Sequence, residues 1–385
     1  MSDVISAADR KWMRAALMMA RRGDGRTAPN PSVGCVIVKN DVLVGRGVTA
    51  DGGRPHAETV ALDSAGGLAK GATAYVTLEP CSHHGQTPPC CEALIAAGIA
   101  RVVIGNQDPD ERVSGKGIAA MTSAGITVTT GVLSDAIAHQ LAGYHHTRIK
   151  GRPHVTVKIA TSLDGKIALK DGTSQWITGA LARQYVHLLR SRHDAILTGA
   201  GTVRVDNPML TCRLDGITHQ PLRVVMASGQ ELNPAAQIFA TSGQYPTLVI
   251  CPEDSSHRQT LPEEVKTVTA EKGNDGYLDP MNTLSVLVKQ GMTSVLIEAG
   301  GKLLASFIKA GLVDRIIWIR NPMVIGGDGL PVVADLGLTD LDAGRGYALY
   351  QRQYLGEDVL EIWQRRSLDY EIIDPRLMAN GVRDD

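Results

Sequence analysis

Three short runs, Pro55-His56-Ala57-Glu58, Glu79-Pro80-Cys81 and Pro88-Pro89-Cys90-Cys91, constrain this chain more than any other feature. An imidazole, at least two thiols and a carboxylate make up the donor set of a catalytic zinc site with one open position. If the runs share one ion, the chain between them has to form elements that bring them back together. The order H-x-E, then P-C, then a further Cys points to hydrolytic removal of an amino group from a nucleobase-like ring. On that reading His56, Cys81 and Cys90 hold zinc and water takes the fourth place. Glu58 then carries a proton from that water to the ring nitrogen and the leaving amine.

The spacing is unusual, because many nucleobase deaminases place the second Cys within one helical turn of the first. Here Ser82 to Pro89 intervene, and the segment is read as a loop that returns Cys90 to the metal as a helix begins. Cys90 and Cys91 compete for one ligand position, with Cys90 favoured. The competing readings are a closed structural site using Cys91, His83 or His84, buried thiols without metal, or Glu58 as a helix-capping carboxylate. His83 and His84 read as a solvent-exposed or substrate-lining pair rather than ligands. Asn30, between two prolines, either reads a base edge or caps a turn.

At 385 residues the chain is too long for one ordinary core, so two domains are the default and three are possible. A net charge of −1 without a long basic run, and only two Phe and four Trp, argue against a nucleic-acid groove and for a small substrate. The opening run Met1 to Arg10 lacks the apolar core expected of a signal peptide, and no apolar span reaches the roughly 18 residues of a membrane helix. A soluble cytoplasmic protein with no nucleic-acid or membrane partner is expected. Cys35, Cys212 and Cys251 are scattered, unlike a disulfide framework.

Apolar periodicity predicts a helix over 4–21, a strand at 33–38 with a hairpin return from Asp41, a helix after His56 and a strand at 72–78. Cys81 then falls where the next helix should begin. A short helix at 90–97, a strand at 101–104, a helix near 115–124 and a strand near 126–130 complete an alternating α/β unit over 1–150. Lys150-Gly151-Arg152-Pro153 marks the boundary. A second α/β unit over 151–367 shows strands at 154–160, 194–198, 222–226, 246–250, 294–298 and 315–319, with helices such as 180–190 and 301–310. Its sheet is expected to be mostly parallel with late antiparallel strands. Residues 368–385 read as a polar tail.

The second unit carries three strand exits with possible ligand chemistry. Lys158 to Lys166 (K-I-A-T-S-L-D-G-K) ends a strand in a Ser/Asp/Gly turn. Leu197 to Val203 (L-T-G-A-G-T-V) and Leu296 to Leu304 (L-I-E-A-G-G-K-L-L) each join a strand to a glycine turn and a helix, where N–H groups near Gly300 and Gly301 can receive a phosphate. Ordinary turns remain the competing reading. Neither matches a Rossmann fingerprint or a P-loop. Arg190 is either a solvated charge or a phosphate contact.

Both halves together resemble the bifunctional riboflavin-biosynthesis deaminase/reductase family, over about residues 10–365. The runs that carry the resemblance are N-P-S-V-G-C-V-I-V, P-H-A-E, T-L-E-P-C-S-H-H-G-Q-T-P-P-C-C, K-I-A-T-S-L-D-G-K, S-Q-W-I-T and D-N-P-M-L-T-C-R. It implies a cytidine-deaminase-like N-terminal domain and a dihydrofolate-reductase-like C-terminal domain, with Zn2+ and NADPH as cofactors. The implied substrates are phosphorylated pyrimidine-ribosyl small molecules, and the implied assembly is a homo-oligomer. By motif, His56, Cys81 and Cys90 match the zinc ligands and Glu58 the proton carrier. Ala160, Trp176, Thr202, Asp206, Ser228 and the run Gly300, Gly301, Lys302, Leu303, Leu304, Ala305 and Ser306 match cofactor positions. Ser174, Arg190, Leu210, Arg213 and Glu298 match substrate positions, and Lys158 fits a catalytic role beside the opened sugar. Met226-Ala227-Ser228-Gly229 replaces the family's more usual Asp before Ser. The junction Leu141-Ala142-Gly143-Tyr144-His145-His146 also departs from the family run, so no role is assigned to His145 or His146.

Overall fold

The computed structural model describes residues 5–84 and 88–366. The tail at 368–385 and the centre of the Ser82–Pro89 segment lie outside the described residues. In chain order the first elements are α1 (Ala7–Ala20), β1 (Gly34–Lys39), β2 (Val42–Val48), α2 (Ala57–Ala65), β3 (Thr73–Leu78), α3 (Cys90–Ala96), β4 (Arg101–Asn106), α4 (Lys116–Ser123) and β5 (Thr127–Thr129). Two helices, α5 (Ser134–Gln140) and α6 (Ala142–Ile149), close this part. There follow β6 (His154–Thr161), β7 (Lys166–Ala168), α7 (Ala180–Ser191), β8 (Ala195–Gly199), α8 (Ala200–Asp206), β9 (Leu222–Met226), α9 (Gln237–Ala240) and β10 (Thr247–Cys251). The last are α10 (His257–Thr260), β11 (Lys266–Thr269), α11 (Pro280–Lys289), β12 (Ser294–Ile297), α12 (Gly301–Lys309), β13 (Arg315–Arg320), β14 (Leu330–Pro331), β15 (Tyr347–Leu355) and β16 (Asp358–Arg365).

The described residues form two compact units. One holds the chain up to Val155 together with Gln184–Ala299, and the other holds Thr156–Arg183 with the chain from Gly300. Within the first, a five-stranded sheet has the order β2-β1-β3-β4-β5. β1 is antiparallel to β2 and β3, and β3, β4 and β5 are parallel. The same unit contains the parallel pairings β11 with β10, β10 with β9, β9 with β8 and β8 with β12. In the second unit β6 runs parallel to β13, while β16 is antiparallel to both β13 and β15. Late antiparallel strands thus follow a mostly parallel arrangement, as the pattern predicts. Among the described residues no helix is long and apolar enough to cross a membrane.

The short helix expected at 90–97 is α3, which starts at Cys90 rather than at Cys81: prolines at 88 and 89 hold the approach extended and Cys90 supplies the first helical position. One detail departs from the sequence reading. The helices α5 and α6 were not anticipated. Their buried positions Ile137, Leu141 and Tyr144 follow a helical interval, but polar neighbours mask it.

The helix α2 lies flush against β2 because Gly47 has no side chain. A methyl group there would drive into the backbone carbonyl of Ala57, at the first turn of α2. That close approach sets where His56 and Glu58 stand.

The helix α1 is tied to the same sheet by charge. Ser6 caps it, with its hydroxyl accepting from the Asp9 N–H at 3.0 Å, and the Asp9 carboxylate accepts from the Ser6 N–H and hydroxyl in return. Asp9 also takes two bonds from Arg101 in β4, at 2.7 and 3.1 Å, while only 1% exposed. Burial alone would raise its pKa, but the Arg101 and Ser6 donors outweigh that and hold it at about 2. The folded value lies below the ordinary 3.8, so the stabilisation is complete above roughly pH 4 and is lost as pH falls toward 2. Asp9→Asn is expected to lower the unfolding free energy by about 2 kcal/mol near neutral pH. Urea denaturation should show the gap from the unmodified protein closing as the solution is acidified. A gap that does not change with pH would mean that the ionised carboxylate contributes nothing.

Candidate functional site

The three expected ligands converge. His56 is the residue that caps the N-terminus of α2, Cys81 follows the end of β3, and Cys90 opens α3. The His56 Nδ1 lies 3.3 Å from Cys90 Sγ and 3.6 Å from Cys81 Sγ. One donor atom from each lies within 4.8 Å of the others. The Cys90 N–H donates to Cys81 Sγ at 3.3 Å, so the free N–H groups of a helix start meet a thiolate, where they stabilise negative charge. Cys91 points the other way, into the apolar core with Leu94 and Ile104. This separates the two adjacent cysteines, as the ligand choice required. His84 stands exposed 3.6 Å from Glu92, and His83 lines the cleft above Cys81.

The electrostatics fit a divalent soft-to-borderline metal. A hydrogen bond from Cys90, followed by one from His56, pulls the Cys81 thiol down to about 4 against the effect of burial. The reciprocal bond pushes Cys90 well above the thiol range, and the bond to Cys81 raises His56. Two thiols and an imidazole thus compete for protons in one small volume. A single dication there would satisfy all three donors. Glu58, in the first turn of α2 and 4% exposed, is pushed up to about 7 by burial and then by the Cys81 charge. A carboxyl that exchanges its proton near neutrality suits a proton carrier.

Glu79, left without a role in the sequence reading, proves to be the anchor of the cleft wall. Its buried carboxylate accepts backbone N–H groups from Asp108 at 3.3 Å, Gly115 at 3.0 Å, Gly117 at 3.1 Å and Ile118 at 3.3 Å. Gly117 has to be glycine, since a methyl would strike the Pro80 carbonyl beside Cys81. The turn-rich run Asp108 to Gly117 was the available signal for this wall. Asp108 accepts from the Tyr144 hydroxyl at 3.1 Å, and its own carboxyl is raised by burial. Asn30 donates its amide to the Gly53 carbonyl at 2.9 Å while lining the cleft, so it holds a turn together at the cleft edge.

The other expected site residues are described unit by unit. In the first unit Arg190 gives a two-pronged bond to Glu298, at 2.6 and 2.9 Å, and a third bond to the Thr211 carbonyl at 3.0 Å. Of the two readings of Arg190, the solvated charge does not hold, since the side chain is 12% exposed and its fork is engaged by a carboxylate. Leu210 is buried with φ +53°, and Arg213 lies exposed, bonded to the Thr211 hydroxyl at 3.2 Å. Thr202 and Asp206 stand one turn apart on α8, whose cap Gly199 offers no side-chain bond to the first N–H groups. Ser228 is engaged internally, its N–H donating to Gln230 and its hydroxyl accepting from the Leu278 N–H.

In the second unit Lys158 and Ala160 alternate with buried Val157 and Ile159 on β6 and share one face. The Ser162-Leu163-Asp164 turn is structural. Ser162 donates to Asp164 at 2.6 Å, and Asp164 accepts the N–H groups of Ile325 and Gly326. Trp176 is 68% exposed with the Arg183 guanidinium over its ring, and Ser174 is half-buried nearby in sequence. The glycine-capped start of α12 at Gly300 also lacks a side-chain cap, which fits a phosphate-bearing ligand. Leu304 and Ala305 face the core, which leaves the backbone N–H groups at the start of α12 as what this run presents outward.

Comparison with known proteins agrees with this geometry. The cytidine and deoxycytidylate deaminase zinc-binding region matches residues 6–106, and the RibD C-terminal domain matches residues 153–352. The riboflavin biosynthesis protein RibD of Escherichia coli K12 is 41% identical, covering 91% of this chain and 98% of its own. That of Aquifex aeolicus is 37% identical over 94% of this chain and 100% of its own. Among solved structures, Acinetobacter baumannii RibD superposes with a TM-score of 0.82 at 36% identity, covering 94% of this chain and 99% of its own. A Thermotoga maritima diaminohydroxyphosphoribosylaminopyrimidine deaminase/5-amino-6-(5-phosphoribosylamino)uracil reductase gives 0.82 at 33% identity, with 93% and 99% covered.

Zinc analysis of separate variants checks the ligand set. Cys90→Ser is expected to lose most bound zinc, whereas Cys91→Ser should keep it and lose only packing. The reverse result would exchange their roles.

Proposed function

The chain belongs to the RibD family of riboflavin-biosynthesis proteins, and from this we infer how its two halves divide two consecutive reactions. It is an enzyme with deaminase and reductase activities. The first reaction removes the 2-amino group of 2,5-diamino-6-ribosylamino-4(3H)-pyrimidinone 5′-phosphate by hydrolysis. The second reduces 5-amino-6-(5-phosphoribosylamino)uracil with NADPH to the ribitylamino product. We assign deamination to residues 1–150, cytidine-deaminase-like in fold, and reduction to 151–367, dihydrofolate-reductase-like. The observation that carries the first assignment is the convergence of His56, Cys81 and Cys90 beside buried Glu58.

Zinc held by these three residues would supply a water acidic enough to attack at neutral pH. Glu58 carries one proton of the attacking water to the ring nitrogen, and then the second, from the hydroxyl so added to the ring carbon, to the amine that departs as ammonia. Its burial keeps the carboxyl from bulk water, so the proton stays within the site. The Cys90 N–H and the first turn of α2 orient Cys81 and His56.

For the reductase half NADPH supplies the hydride that reaches the sugar carbon. We place Ala160, Trp176 and the Gly300–Ser306 run at the cofactor, together with Thr202, Asp206 and Ser228, on the family pattern. The uncapped first turns of α8 and α12 suit its phosphates. Ser174, Leu210, Arg213 and the Arg190–Glu298 pair are assigned to the substrate, with Glu298 fixing the guanidinium plane. Lys158 is assigned to polarise the reacting carbonyl or imine. A homo-oligomer acting in the cytoplasm completes the proposal.

Glu58→Gln tests the proton carrier. It is expected to keep zinc and lower ammonia release by roughly 100-fold to 10,000-fold. Supplying the deaminated compound directly should bypass the lesion and leave NADPH oxidation intact. Deamination near the unmodified rate would exclude Glu58 from proton transfer. If the unmodified protein cannot reduce the supplied intermediate, only the deaminase assignment survives.

A further inference from the structure

We propose that Arg112 and Arg148 form the subsite that holds the substrate's 5′-phosphate during deamination. The proposal rests on the deaminase reading above and adds a specificity element to that site.

The cleft that contains His56, Glu58 and Cys81 is lined on its outer wall by Asp110, Arg112 and Arg148. The cleft grades from a dry floor to an open mouth. Glu58 at the floor is 4% exposed, whereas the side chains of Arg112 and Arg148 are 62% and 37% exposed. The reacting amino group has to face the metal donors at the floor. The phosphate lies beyond the sugar, so it is carried away from the floor toward the mouth. A dianion arriving there needs a local surplus of positive charge.

At the mouth, two arginines share one carboxylate. Arg112 binds Asp110 through Nε at 2.9 Å and Nη2 at 2.5 Å, and Arg148 Nε lies 3.7 Å from the same carboxylate. Two guanidinium groups around one carboxylate leave one net positive charge. The Arg112 Nη1 has no partner among the described residues, so one edge of its fork can turn to a ligand. The Arg148 guanidinium stacks 5.2 Å over the Tyr144 ring, which holds its plane without consuming its donors. The wall's other carboxylates are directed inward. Glu79 receives its four backbone N–H groups, and Asp108 receives the Tyr144 hydroxyl and the Asp110 N–H at 2.9 Å. Arg54 also lines the cleft, but it neighbours His56 at the metal end. The phosphate subsite is therefore built on a rigid segment: Glu79 fixes the backbone, Asp110 spaces the two cations, and Tyr144 supports one of them.

The test uses the zinc-loaded full chain and the double variant R112A/R148A. Ammonia release is measured with the phosphorylated diaminopyrimidine substrate and with its dephosphorylated counterpart. The expected result is a fall in kcat/KM of about 100-fold for the phosphorylated compound, carried mainly by KM, against less than about twofold for the dephosphorylated one. R112K, which keeps charge but loses the fork, should fall between. Equal losses on both compounds, or none on either, would overturn the subsite. NADPH oxidation with the deaminated compound checks that the double variant is folded. If the unmodified protein deaminates neither compound, the functional reading fails on its own. Calorimetric titration with ribose 5-phosphate then still tests the subsite. The double variant should lose one binding event per chain, and unchanged stoichiometry and affinity would refute it.

Discussion

The N-terminal site depends on keeping a thiolate at Cys81, close to a buried strand end. Two helix starts, the cap residue His56 and the first residue Cys90, are aimed at that sulfur. Each brings either a partial positive charge or an N–H donor to a group that burial would otherwise keep protonated. The arrangement depends on how closely α2 and α3 are seated. Gly47 provides this seating for α2, because its missing side chain lets the helix backbone rest on the sheet. For α3, the prolines before Cys90 hold the incoming chain extended until the helix can begin.

The same economy shapes the cleft wall. One carboxylate, Glu79, pins the loop after Asp108 and the first turn of α4 by accepting four of their N–H groups. A loop fixed in this way presents Asp108, Asp110 and Arg112 at defined depths without a strand or helix beneath them. Buried charge is tolerated there because every lone pair that matters meets a donor. In the second half of the chain, Arg190 and Glu298 play a related part. Their two-pronged bond holds two substrate-assigned side chains in one plane while half-buried.

Much of the fold was legible because the strands are short apolar runs and the helices carry regular buried faces. The antiparallel return after β1, the parallel order of the later strands and the strand–glycine–helix exits at Gly199 and Gly300 all follow from local chemistry. What escaped was short and polar. The helices α5 and α6 hide three apolar anchors, Ile137, Leu141 and Tyr144, among histidines and alanines. The start of α3 at Cys90, by contrast, was legible, because Pro88 and Pro89 cannot continue a helix and mark where one can begin.

The sequence by itself determined the donor set. A histidine, two cysteines and a neighbouring glutamate carry their chemistry wherever they lie, and their order in the chain already restricted the reaction. It also favoured Cys90 over Cys91, but adjacent residues differ chiefly in the direction their side chains take, which a sequence does not display. That direction was decided by tertiary structure, when α3 turned Cys91 into the apolar core and left Cys90 against His56. Tertiary structure likewise decided the partners of Glu79, Arg190 and Arg112. Each of those side chains can bond to many groups, and only the folded positions of Gly117, Glu298 and Asp110 select one.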